Sequence, residues 1–206
     1  MTEARSQRTN MRVAALAGLG GLAAVAAAAL GAAASYMHSL APEGTEGYRD
    51  TTPQVAALAF SSVVLACVGL LGLAVLSRAR GRSSWLALTA SLLVAAGLTS
   101  LTSFSVSGAS EEGWAWWSFG ATGFVAMMLG LVLGGVHVII TRVVPRWAGV
   151  LAVVASAALF FFNTETAAVL FAAPAALAWG IVGGFALGEA LGDLGIVHRH
   201  APAVGA

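Results

Sequence analysis

Lysine is absent from this chain, so all ten basic residues are arginine. Cysteine is nearly absent as well. The single Cys67 excludes an intramolecular disulfide, a CxxC pair and a Cys/His zinc site, and its place in an apolar run reads as a small packing residue. Charge of either sign is scarce: 9% of residues are charged, against about 25% in soluble domains. So few charges cannot clothe a surface that faces water, which makes lipid the expected solvent for most of the chain. The net charge of +1 leaves no basic stripe to neutralise phosphates and excludes nucleic acid as a partner. No P-loop, HExxH, GxSxG or paired-histidine pattern occurs, so neither metal nor cofactor is expected. No segment has the charge density of a voltage sensor, and none pairs with another as the interrupted helices of an alternating-access transporter do. Arginine without lysine, beside abundant Ala and Gly, points to a GC-rich prokaryotic genome.

Long apolar runs fill what remains of the 206 residues, of which 59% are hydrophobic. A spanning helix needs about 20 mostly apolar residues. Val13–Tyr36, Val55–Leu76, Trp85–Val106 and Trp114–Ile140 each supply that, the last with room for an interfacial turn. The block Trp147–Leu187 would extend about 61 Å as one helix, against a hydrocarbon core of about 30 Å. It must fold back, and Asn163–Thr166 is its only polar break. The expectation is an all-α membrane protein, a bundle of six spans at about 13–36, 55–76, 85–106, 114–140, 147–162 and 167–187. These form a transmembrane domain over 13–192, between tails at 1–12 and 193–206.

Arginine placement gives an independent parity argument. With six spans, Arg5, Arg8, Arg12, Arg78, Arg80, Arg82, Arg142, Arg146 and Arg199 share one side, and Arg49 alone lies opposite. The positive-inside bias then places both termini on the cytoplasmic side of the cell membrane. A competing reading of the first span is a signal peptide cleaved after Ala32-Ala33-Ala34. Its apolar core exceeds the usual 7–15 residues or so, which favours an uncleaved first helix.

Helices in lipid associate through close backbone approach and hydrogen bonds. Gly180, Gly184, Gly188 and Gly192 form a four-spaced strip on span six, suited to a neighbouring helix, a protein partner or a second copy of the chain. Span one, mostly Ala and Gly, is too weakly apolar to prefer lipid on every side and belongs inside the bundle. Trp85, Trp147, Trp114, Trp116 and Trp117 sit where aromatic belts meet the membrane surface. The segments 77–93 and 141–157 share a pattern of arginines, tryptophan and an Ala-rich helix, which positive-inside selection alone can produce.

Ionisable groups near membrane depth are functional candidates because they are costly there. His137 lies near the inner interface without a histidine partner at its depth, and reads as a packing residue before a ligand. Glu189 and Asp193, four apart on one helix face, suit an ion pair with Arg142 or Arg146, or an acid/base pair. Glu165 is the sharper candidate. Asn163 and Thr164 suit helix caps and Glu165 suits a helix first turn, yet the short fifth span would sink this turn below the surface. There a desolvated Glu165 carboxyl could donate a proton, in a pocket lined by Asn163, Thr164, Trp116, Trp117, Thr99, Thr102 and Ser103. Simple hydrogen bonding within or between helices is the plainer account of those hydroxyls.

Pro145-Arg146-Trp147, the NTET turn and Trp179 resemble features of a broad group of uncharacterised six-span prokaryotic membrane proteins. The resemblance covers about the last third of the chain and implies a six-helix bundle and no activity. Three functions follow from the residues. The first is an accessory or lipid- and partner-binding membrane component without catalysis. The second is a membrane-embedded enzyme for an apolar substrate, similar to small terpene cyclases, with Glu165 as proton donor. The third is a small-solute or proton carrier, which lacks a polar path.

Overall fold

The computed structural model describes residues 2–42, 51–107, 114, 116–161, 170 and 172–195. Six α-helices account for nearly all of them: α1 (Thr2–Ser39), α2 (Pro53–Ala79), α3 (Trp85–Ser107), α4 (Thr122–Thr141), α5 (Arg146–Ala158) and α6 (Ala172–Asp193). A π-helical turn, Trp116–Ala121, leads into α4, and a 3-10 turn, Leu159–Phe161, extends α5. There is no strand among the described residues.

Local chemistry sets the ends. Thr52 caps α2 by accepting from the Val55 amide at 3.3 Å, with Pro53 in the first turn, where a missing N–H costs nothing. Pro174 falls in the first turn of α6, where its missing N–H costs nothing, because that helix begins at Ala172. The expected tail 1–12 is helical from Thr2, since no Gly or Pro interrupts it. Gly81 turns the chain from α2 to α3 at φ +66°, and Arg142 closes α4 at φ 54°.

Each helix packs on its chain neighbours and α1 closes on α6, so the six form a ring in chain order. Neighbours run antiparallel. Gly20 meets Gly72 and Gly69 meets Ala24 across α1 and α2, while Gly21 and Gly31 face Leu187 and Ala176 of α6. Several contacts leave no room for a side chain: a methyl built on Gly21 would lie 2.6 Å from the Leu187 nitrogen, and one on Gly97 would lie 2.5 Å from the Gly123 oxygen. The four-spaced glycines of α6 do not act together in this packing. A methyl on Gly180 would approach Ala28 at 3.0 Å, but Gly184 and Gly188 face open space. A spacing of four advances about 40° per step, so the strip winds away from α1, and Gly183 takes the contact.

Among the described residues, five helices, α1 to α4 and α6, are long and apolar enough to cross a membrane. The apolar stretch Arg146–Phe161, built from α5 and its turn, is shorter, about 24 Å by helical rise. Side-chain sizes are inverted relative to a soluble protein. More than half of the buried apolar residues are alanine, while Leu19, Phe60, Leu92, Val154 and Leu177 are exposed. This arrangement suits a lipid solvent, in which large apolar groups gain nothing by burial and small ones permit backbone contact.

Candidate functional site

Closing a ring of six helices with small residues leaves its centre incompletely filled. A cavity of about 180 Å³ lies there, in the half of the bundle that holds the start of α6 and the end of α1. Ala27, Ala28 and Gly31 of α1 face Phe124, Met127 and Met128 of α4 across it. Ser62, Val63 and Ala66 of α2 line one side, and Leu159, Ala172 and Ala176 line another. Trp179 forms the floor. Its indole N–H donates to Ser156 Oγ of α5 at 3.0 Å, and its ring edge lies against Gly134 of α4, where a methyl would come within 2.7 Å. Ser156 is fully buried, so this hydrogen bond holds the ring across the bundle axis. On the other side of the ring lies a second void of about 20 Å³.

No charged side chain lines the cavity among the described residues. The hydroxyl of Ser62 is committed to the Ala27 carbonyl at 2.8 Å. Such a space lacks the polar partners that hold water; a comparable apolar cavity of about 150 Å³ stays dry and takes up benzene.

Two polar clusters occupy the opposite half. Ser77 Oγ and His137 Nε2 lie 2.7 Å apart, both residues fully buried, and Thr141 Oγ1 donates to the His137 carbonyl. His137 Nδ1 has no hydrogen-bond partner among the described residues. Below this pair, Arg80 gathers three elements. Its guanidinium reaches Glu189 at 2.6 Å and Asp193 at 3.5 Å on α6, and donates to the Val143 carbonyl at 3.0 Å in the α4–α5 connection. The sequence pointed to Arg142 or Arg146 as the partner of these acids; the structure supplies Arg80. The end of α2 comes beside the end of α6 because both helices pack against α1.

The remaining sequence candidates scatter. Asn163, Thr164 and Glu165 lie outside the described residues, as do the side chains of Trp116 and Trp117. Thr99, Thr102 and Ser103 are exposed and donate to the carbonyls of Ala95, Leu98 and Thr99 in their own helix, and none of them lines the cavity. His137 and Glu189 belong to the two polar clusters, away from the cavity. Sequence reasoning passed over Met127, Met128, Phe124 and Ser156, which carry no ionisable group and so gave no signal. Trp179 was noticed only as part of a resemblance. Comparison with known protein families, characterised proteins and solved structures finds no match to this chain.

Proposed function

We propose that this chain is an integral membrane component that holds an apolar ligand inside its helical ring, without catalysis. The observation that carries the reading is the uncharged cavity floored by the fixed Trp179 ring. Its volume decides the kind of occupant. Pockets for whole small molecules run to about 300–1,000 Å³, so about 180 Å³ suits one ring or the end of a hydrocarbon chain. Ala175 lines this space and is itself buried, so Ala175→Leu would fill it. Native mass spectrometry of the detergent-extracted protein is expected to show a bound apolar molecule that Ala175→Leu loses. Equal retention by both proteins would count against the cavity as the site.

The finer topology belongs to the same proposal: six spans in the cell membrane of a prokaryote, with both termini cytoplasmic. Arginine parity supports it, and thinning of the bilayer around α5 would absorb its mismatch of about 6 Å. In a Cys67→Ala background, an impermeant maleimide should label Asn163→Cys from outside intact cells and spare Ser83→Cys. Protection of both would remove α5 from the spans.

An enzymatic reading draws on one observation. Leu159 and Ala172, which bracket Glu165 in the chain, both line the cavity. Acid-initiated chemistry on an isoprenoid would then use Glu165 as proton donor, and Glu165→Gln would abolish turnover while leaving binding intact. The volume favours binding of a chain end over cyclisation of a whole isoprenoid.

A further inference from the structure

The ring is not equally tight all round. On the face of α2 toward α3, Ala74 and Leu70 are buried, Cys67 and Val63 are half-buried, and Phe60 and Ala59 are exposed. On the facing stripe of α3, Ala87 and Ser91 are buried, and past Ser91 burial is lost: Ala95 is exposed, Leu98 half-buried and Thr102 exposed. The two helices therefore part toward the cavity end of the bundle. The hydrogen bond from Ser91 Oγ to the Cys67 carbonyl, at 3.2 Å, marks the point below which they stay together. Above it each helix keeps a different partner. Ser62 ties α2 to α1 through the Ala27 carbonyl, and Ser100 ties α3 to the turn before α4 through the Phe119 carbonyl at 2.7 Å. Val63, Ala66 and Met127, which line the cavity behind this cleft, are only partly buried.

Resting on the reading of the cavity as an apolar-ligand site, we infer that the cleft between α2 and α3 is a lateral entrance. Through it the end of a membrane lipid's acyl chain leaves the bilayer and seats against Trp179. The cavity bears no charge to receive a headgroup, and its volume matches a chain end. A chain already in the bilayer pays no dehydration cost to enter, so the hydrophobic effect plays no part and packing against Met127 and Phe124 supplies the affinity.

Bromine on an acyl chain quenches tryptophan only near contact, which makes Trp179 its own reporter. The full-length chain is prepared with Trp85, Trp114, Trp116, Trp117 and Trp147 replaced by Phe, and placed in vesicles of phosphatidylcholine brominated at mid-chain. A companion protein keeps only the exposed Trp147 and reports correct insertion. Trp179 is expected to be quenched, and Ala66→Phe in the cavity wall should abolish that quenching while Trp147 stays quenched. Should Ala66→Phe fail to insert, Ala95→Phe narrows the cleft from an exposed position on its other wall. Trp179 unquenched beside a quenched Trp147 overturns the entrance, and so does quenching that neither substitution alters. Iodobenzene added to the detergent-solubilised protein separates the two failures. Quenching of Trp179 by iodobenzene but not by brominated lipid leaves the cavity standing and removes the entrance, whereas silence in both removes the site itself.

Discussion

Ser77 and His137 show what a single polar residue does in an interior this apolar. Ser77 Oγ and His137 Nε2 satisfy each other, both fully buried. Removing one partner of a buried hydrogen bond costs about 1–3 kcal/mol, because the survivor is left desolvated and unpaired. Ser77→Ala is therefore expected to lower unfolding stability by about that amount, read by reversible denaturation in mixed micelles. Replacing both partners removes the orphan, so Ser77→Ala with His137→Leu should be more stable than Ser77→Ala alone. The opposite order would mean that the hydrogen bond contributes little. The pair was half legible in sequence. His137 stood out as an ionisable group near the membrane, but a serine sixty positions away in the chain could be assigned to it only by the ring, which brings side chains of α2 and α4 together.

Glycines at the element scale divide by what they face. The α1–α6 contact closes on Gly21 and Gly183, where added atoms would strike backbone, whereas Gly184 looks outward into open space. Overpacking of such a contact costs about 1–3 kcal/mol, so Gly21→Val should destabilise the bundle by that order in the same assay. Gly184→Ala meets nothing and gains helix propensity, so it should stabilise by about 0.5–1 kcal/mol. A loss at Gly184 would show that this face is covered in the membrane, by a partner or a second copy. The sequence displayed both sets of glycines equally. Which set presses on α1 depends on the rotation of α6 about its axis, and the four-residue spacing alone pointed to the wrong one.

At the scale of the whole molecule, Arg80 ties the ring shut at one end while the cleft between α2 and α3 parts at the other. The ion pairs are partly exposed and each is worth at most about 1 kcal/mol, so Arg80→Gln should leave the protein folded. Hydrogen exchange should nonetheless quicken in the last turns of α6 and in the α4–α5 connection, with α1 unchanged. Uniform acceleration would make Arg80 a global rather than a local tie. Filling the centre works the other way: Ala175→Leu should raise thermal stability by about 0.5–2 kcal/mol while displacing the ligand. The sequence by itself determined that the chain is built of long apolar helices and in what order, because charge density and apolar run length are properties of composition along the chain. Span one, expected inside the bundle, is instead a member of the ring: its Ala and Gly face packs on α2 and α6, while Leu16, Leu19 and Leu22 are exposed on the other side. Only the tertiary structure decided which helix faces meet, that Arg80 and not Arg142 or Arg146 reaches Glu189, and that the interior holds an uncharged cavity floored by Trp179. Those depend on helix rotation and on the small volume left when six cylinders close into a ring, and neither quantity is written in the pattern of any one helix.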